Sequence, residues 1–408
     1  MSEDVTTRGG VVVDDRPPVS RGWTARYAIA STGMWLAFLT PAQAQLARQA
    51  ELFDPAGKAA LLGLATGVGA AVTAVAVPVF GALSDRTRTR WGRRRPWVAG
   101  GIAVAAAGLV ALAGAQGAVS LVLGWVLAQV GLSAVQAGLV ATIPDRVPRP
   151  QLGLVAGWAG MTQMLGALLG TLLVNQVVKD LAPGYLACAA VAVLAVVPFL
   201  LGYREPRDLP APVRTGRRST IQITPDLAWA WASRFLVTLG FALVTQYLLY
   251  YLTDELTLAD PQRGVLVITA ITVLGAMVSA LVTGRWSDRL GRRKVFVAVG
   301  GALMGAGALF LALVPAWPVT AVAAGAVGLG FGTFLAVDLA VIATVLPSAA
   351  DTGRDLGVFA IANAAPQVLA PVLAVPVLAV SGYRGLYLVT AVVAVVGGLL
   401  VRRVRSVG

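Results

Sequence analysis

Apolar and polar positions in this chain are sorted into long blocks. Charge-free intervals run over 27–47, 59–84, 96–144, 150–178, 181–203, 235–253, 264–284, 295–337, 356–383 and 385–401. A helix that crosses a bilayer needs about 20 apolar residues, roughly 17 to 25. Eight of the intervals fit one such helix each. Interval 96–144 holds 49 residues, too many for one crossing, and breaks at Gly114-Ala-Gln-Gly117. Interval 295–337 holds 43 and breaks at Pro315-Ala-Trp-Pro318. Gly and Pro are the strongest local breakers of a helix. The pattern predicts an all-α membrane protein of 12 transmembrane helices, numbered below as spans 1 to 12.

Composition agrees with lipid as the solvent. Charged residues make up 12% and hydrophobic ones 57%, whereas soluble domains carry about a quarter charged residues. The net charge of +13 would otherwise suggest nucleic acid, but its placement does not. With the N-terminus inside and the spans alternating, 26 of the 32 basic residues fall on one side and five on the other; Arg234 lies within span 7. Basic loops stay cytoplasmic. This predicts a multi-pass protein of the plasma (inner) membrane with both termini cytoplasmic, no nucleic-acid partner, and a lipid bilayer around it. Residues 1–22 are polar, with Pro-Pro and Gly-Gly, and lack the apolar run of a signal peptide. They read as a disordered cytoplasmic tail.

Missing residue types exclude chemistry. There is no histidine and one cysteine, Cys188. Imidazole metal sites, Ser-His and Cys-His pairs and an intramolecular disulfide are therefore ruled out, and no cofactor or metal is expected. Any proton carrier must be Asp or Glu. An intramembrane enzyme ranks far below a carrier.

The chain repeats itself at half length. The loop GALSDRTRTRWGRRRP, from Gly81 to Pro96, returns as GRWSDRLGRRK, from Gly284 to Lys294. Arg26-Tyr27 at span 1 is matched by Arg234-Phe235 at span 7. Pro144 followed by Leu152-Gly153 is matched by Pro347 followed by Leu356-Gly357. The organisation expected is an N-terminal six-helix bundle over 23–203, a cytoplasmic linker over 204–225 rich in Arg and Pro, a C-terminal bundle over 226–403 and a short tail over 404–408. Parallel repeats of this kind build two-bundle secondary carriers.

Gly-x-x-x-Asp-Arg followed by Gly-Arg-Arg resembles the cytoplasmic loop signature of the major facilitator superfamily. The resemblance extends from about residue 23 to the end. The longer form, Ser84-Asp85-Arg86 through Pro96, looks like the sucrose-type and glycoside–cation symporter branches. It implies a fold of two pseudo-symmetric six-helix bundles around a central cavity, lined by spans 1, 4, 7 and 10 with 2, 5, 8 and 11 beside them. It also implies a conformational latch made by Gly81, Asp85, Arg86, Gly92, Arg93 and Arg94 and, in the second half, Gly284, Asp288, Arg289, Gly291 and Arg292. In the family, the aspartate meets a helix start of the other half when the carrier faces outward. Here that start is the beginning of span 11, around 354–357. Helix N-termini favour anions. Anchoring to anionic head groups explains the arginines, but not an Asp-Arg placed alike in both halves.

Polar side chains deep in a span mark a cavity or a helix contact. Gln129, Ser133 and Gln136 in span 4 are spaced i, i+4, i+7 and share a face. Gln246, Tyr247 and Tyr250 lie in span 7; Asn363 and Gln367 lie in span 11 among Pro366, Pro371 and Pro376. Trp158 and Gln163 lie in span 5, and Trp35 and Gln43 in span 1, with Gln45 nearby. Amides and aromatics suit a neutral, hydroxyl-rich solute; contacts between helices would use the same residues. Asp338 in span 10 is the proton-coupling candidate. It stands nine residues before Pro347, near the place that Gln136 takes before Pro144. A carboxyl inside the bundle is desolvated and able to exchange a proton as the cavity alternates; at a wet inner end it would instead pair with an arginine. Arg26 and Arg234 are expected to snorkel inward.

The function expected is secondary active transport of a small organic solute, sugar- or glycoside-like, by alternating access and coupled to protons or another cation, in a monomer. The alternative is a drug or natural-product exporter working by drug/proton exchange. Against it, span 5 reads GWAGMTQMLGALLG, with glycines but without the Gly-Pro pair many such exporters carry.

Overall fold

The computed structural model describes residues 17–203, 224–290, 292–345 and 352–405. Helices account for nearly all of these residues. Helix α1 (Arg21–Thr40) continues through a π turn (Pro41–Gln45) into α2 (Leu46–Phe53). Then follow α3 (Lys58–Arg86), α4 (Arg95–Ala113), α5 (Ala118–Arg146) and α6 (Arg149–Leu172), the last ending in a π turn (Leu173–Val177). Helix α7 (Leu181–Gly202) closes the first half. The second half opens with α8 (Pro225–Gln246), followed by α9 (Leu248–Tyr250) and a π turn (Tyr251–Glu255). It continues with α10 (Pro261–Leu290), α11 (Arg293–Leu313), α12 (Trp317–Val345) and α13 (Thr352–Leu400).

The expected breaks are where the helices end. Helix α4 stops at Ala113 and α5 starts at Ala118, across the Gly-Ala-Gln-Gly stretch. Helix α11 stops at Leu313 and α12 starts at Trp317, before Pro318. The last helix is two crossings joined at a kink, because Gly382 takes φ 62°, ψ −162°, a conformation outside the helical region. A Cβ would make it costly. Among the described residues nine helical stretches are long and apolar enough to cross a membrane. The more polar α1 and α6 are not among them, and the last stretch covers both limbs of α13. With those three additions the crossings number twelve.

The helices form two groups. In the first, α1 packs on α6 and α7, α4 on α5 and α7, and α3 on α5. In the second, α8 packs on α13, α10 on α12, and α11 on α12 and α13. The groups meet where α3 lies along α13 and α6 along α10. Lipid gives no hydrophobic drive to helix pairing, so backbones must approach closely at small residues. A Cβ on Gly101 would sit 2.8 Å from the Gly131 carbonyl oxygen; one on Gly300 would sit 2.7 Å from that of Gly330. These two contacts, α4 on α5 and α11 on α12, are the same contact 199 positions apart. The loop aspartates Asp85 and Asp288 are 203 apart. The difference of four residues is extra chain in the first loop, between Asp85 and Arg94.

Candidate functional site

A cavity of about 290 Å³ lies between the two groups, at the lower edge of the roughly 300–1,000 Å³ usual for small-molecule sites. Along α3 it runs from Thr66 to Pro78, about 18 Å at the helical rise. Six glutamines line it: Gln43, Gln129, Gln136, Gln163, Gln246 and Gln367. Threonines from α3, α8, α10 and α12 add hydroxyls. Trp35, Phe38, Trp125 and the stacked pair Phe241 and Phe331, with ring centroids 3.9 Å apart, supply aromatic faces. No charged side chain lines it among the described residues.

Several polar groups there have no protein partner among the described residues. They are the indole N–H of Trp125 and the amide oxygens of Gln129 and Gln246. The Gln246 amide nitrogen donates to Gln367 Oε1 at 2.8 Å, which ties α8 to α13 and leaves the Gln246 oxygen free. Buried polar groups normally have partners. All three residues line the cavity, but these particular atoms are themselves buried, and the Trp125 indole nitrogen packs against Gly69 of α3.

The structure thus brings Trp35, Gln43, Gln129, Gln136, Gln163, Gln246 and Gln367 to one space, and leaves Ser133, Trp158, Tyr247 and Tyr250 off its wall. Ser133 is fully buried beside the cavity, off its wall. At about 100° per residue, Trp125 and Gln136 lie on one side of Gln129 around the helix, and Ser133 lies about 40° to the other side. The cavity takes the first side. Tyr247 and Tyr250 are buried away from it. The α8 helix ends at Gln246 and Tyr247 has φ −105°, ψ 10°, so Tyr250 does not continue the Gln246 face. Trp158 is 41% exposed on the outer surface of α6. The side chain of Asn363 lies outside the described residues. Trp125 is the clear omission of the sequence reading; its i, i+4 spacing to Gln129 was the available signal.

Asp338 is 5% exposed and does not line the cavity; it forms an ion pair with Arg234 of α8. Arg234 is itself buried, not snorkelling, and its Nε has no partner among the described residues. The packing register also corrects the equivalence between Gln136 and Asp338. At an offset of 199, Gln136 corresponds to Leu335, and both line the cavity. Asp338 corresponds to Leu139, one helical turn further on. Pro144 and Pro347 are 203 positions apart, whereas the packed helices match at 199, so counting back from the prolines misaligned the two helices. Arg26, which matches Arg234 in the first half, is exposed and runs beside Gly202.

At the arginine-rich end, Arg94 is 4% exposed and gathers three helix ends. It meets Asp85 Oδ1 at 2.6 Å and donates to Asp145 Oδ2 at 2.9 Å and to Ser84 Oγ. Arg93 meets the other Asp145 oxygen at 3.0 Å. Burial alone would lower the Arg94 pKa; the hydrogen bonds and charges of Asp145 and Asp85 outweigh it and raise it. Gly92 takes φ 93° in this loop, which glycine permits. Gly81 has open space around it, and Arg86 is exposed. Asp85 is thus bound to its own half, with its side chain 48% exposed. In the second half, Gly284 ends in open space and Arg289 and Arg292 are exposed. Gly291 and the side chains of Asp288 and of 354–357 lie outside the described residues.

At the far end, polar contacts join the two groups. Lys58 Nζ meets Asp254 Oδ1 at 2.7 Å, and the Tyr250 hydroxyl donates to the Ala47 carbonyl at 2.9 Å.

Comparison with known proteins agrees with this architecture. The solved structure of the nucleoside transporter NupG, determined as a single-site mutant, superposes with a TM-score of 0.71 at 13% identity, over 94% of this chain and 100% of that one. At that identity the likeness speaks for the fold alone. A stretch of 52 residues, 12% of this chain, is 52% identical to an uncharacterized symporter of Synechocystis sp.. It covers 10% of that protein, so this chain matches only a small part of that relative's length. The model of the Major Facilitator Superfamily matches residues 27–258 and again 230–407. With nearly the whole chain matched and a twelve-crossing, two-bundle fold around a central cavity, this protein is a transporter of the Major Facilitator Superfamily.

Proposed function

We propose that this transporter moves a small, neutral, hydroxyl-bearing organic solute, such as a sugar, glycoside or nucleoside, by alternating access. The uncharged cavity with its six amides carries the reading. A charged substrate would have to leave its hydration with no counter-charge to meet it. A neutral polyol or glycoside offers both donors and acceptors to the glutamine amides and threonine hydroxyls of the cavity wall. Its apolar face would stack on the aromatic walls. The basic loops support a cytoplasmic arginine-rich end. On that orientation, the far-end contacts close the carrier to the outside. Asp85 bound to its own half is in keeping with a latch that engages the other half only when the carrier faces outward.

Asp338 is the proposed coupling residue, with a proton or another cation as the driving ion. The short similarity to a symporter is in keeping with coupling. Its ion pair with Arg234, behind the cavity wall, would be broken and remade as α8 and α12 shift. In proteoliposomes, Asp338→Asn is expected to abolish uphill accumulation while sparing exchange. Unchanged proton-driven accumulation would remove Asp338 from the mechanism.

A second reading, export of amphipathic drugs or natural products, is favoured by the apolar majority of the lining and its aromatic walls. A thermal-shift screen on purified protein separates the two. Stabilisation by sugars, glycosides or nucleosides supports the first; stabilisation by amphipathic drugs alone reverses the order.

A further inference from the structure

The chain uses arginine for 29 of its 32 basic residues, yet a lysine stands at the far end where the two halves meet. Lys58 opens α3. Its ammonium lies 2.8 Å from Glu51 Oε1 and 2.7 Å from Asp254 Oδ1, and 4.8 Å from the centre of the Tyr250 ring. Glu51 belongs to α2, in the same half as Lys58. Asp254 belongs to the π turn of the second half, and its other oxygen accepts from the Tyr383 hydroxyl at 2.7 Å. The ammonium thus bridges one carboxylate from each half.

We infer that Lys58 is the positioning residue of the outer gate, holding Asp254 when the gate is shut and Glu51 alone when it opens. The inference rests on the reading of this chain as an alternating carrier, and it does not depend on the substrate. The geometry supplies each charged group with a partner inside its own half. Lys58 has Glu51, and Asp254 has Tyr383. Separation therefore breaks one cross-half ion pair without stripping either charge bare. Partial exposure, 17% for Lys58 and 34% for Asp254, lets water replace the lost contact. Such pairs contribute little net stability, which suits a contact remade in every cycle. A lysine fits this use. It is a point charge with three rotatable donors on a flexible stem, whereas arginine would grip a carboxylate with a planar two-pronged fork.

The test uses the full chain in cells. Cys188 is the sole cysteine and is buried; with Cys188→Ala, a Thr269→Cys reporter on the cavity wall is the one reactive thiol. A membrane-impermeant maleimide added outside reads gate opening. Asp254→Asn and Lys58→Met should speed labelling several-fold, and the swap Lys58→Asp with Asp254→Lys should return it toward the unsubstituted rate. Glu51→Gln should slow labelling, since it removes the partner that Lys58 keeps when the gate opens. The swap and the Glu51→Gln variant guard against simple misfolding, which would not be reversed or change sign. Labelling of Asp254→Asn at the unsubstituted rate, or acceleration by Glu51→Gln, overturns the inference while the carrier reading stands. A reporter that is never labelled from outside in any variant overturns both.

Discussion

The ion pair between Arg234 and Asp338 gives the sharpest energetic test. The two side chains are 10% and 7% exposed, so water screens them little. Two unit charges in contact attract by about 4 kcal/mol at an effective dielectric constant near 20. Removing one partner of a buried pair costs about 3–5 kcal/mol, because the other charge stays buried and bare. Asp338→Asn and Arg234→Met should each lose stability on that scale. The double variant Arg234→Met with Asp338→Leu removes both charges. It should recover most of the loss, helped by the Arg234 Nε that already lacks a partner. A change of 1.4 kcal/mol is a factor of about ten in an equilibrium constant, so each single variant should shift the folded-to-unfolded ratio by at least a hundredfold. Thermal unfolding in detergent, followed by intrinsic tryptophan fluorescence, reads the order of the four proteins. A single variant as stable as the parent, or a double variant as weak as the sum of the singles, would refute the picture of an isolated pair. The double variant also separates roles. If it is stable but no longer accumulates solute uphill, the pair serves coupling beyond packing.

Gln136→Leu removes a partly exposed amide from the cavity wall; one hydrogen bond contributes about 0.5–1.5 kcal/mol net, so solute affinity measured by titration should fall by up to about tenfold. Gly382→Ala and Gly100→Ala both add a Cβ that meets nothing within 4 Å, yet their signs should differ. At Gly382, φ 62° strains an alanine by about 1–3 kcal/mol, whereas inside α4 the alanine should add about 0.5–1 kcal/mol; melting temperatures compare them directly. Gly131→Val should cost at least about 1–3 kcal/mol as an overpacked contact, because its first atom already collides with the α4 backbone at Ala105. Loss of expression and a lowered melting temperature are the readouts.

Crossing number, helix breaks and the half-chain repeat were legible in the residues, because lipid demands long charge-free helices with every backbone group bonded internally. The Gly114–Gly117 and Pro315–Pro318 breaks are local events, and local sequence shows them. The amides of α5, α8 and α13 were legible for the same reason: a polar group deep in a span needs a purpose. What stayed hidden depends on angles and on pairing between distant segments. Ser133 misses the cavity by a fraction of a turn. Tyr250 is turned off the Gln246 face by a break at Tyr247. Arg234 finds Asp338 across 104 positions, where the sequence showed only an arginine near a helix end. Lys58 reaches Asp254 across 196. The chain alone determined that there are two halves of six helices in lipid, since that follows from hydrophobic length and spacing. Only the packed structure decided which polar groups line the central cavity, which pair behind it and which join the halves at the far end, because those choices belong to helix rotation and to contacts between halves.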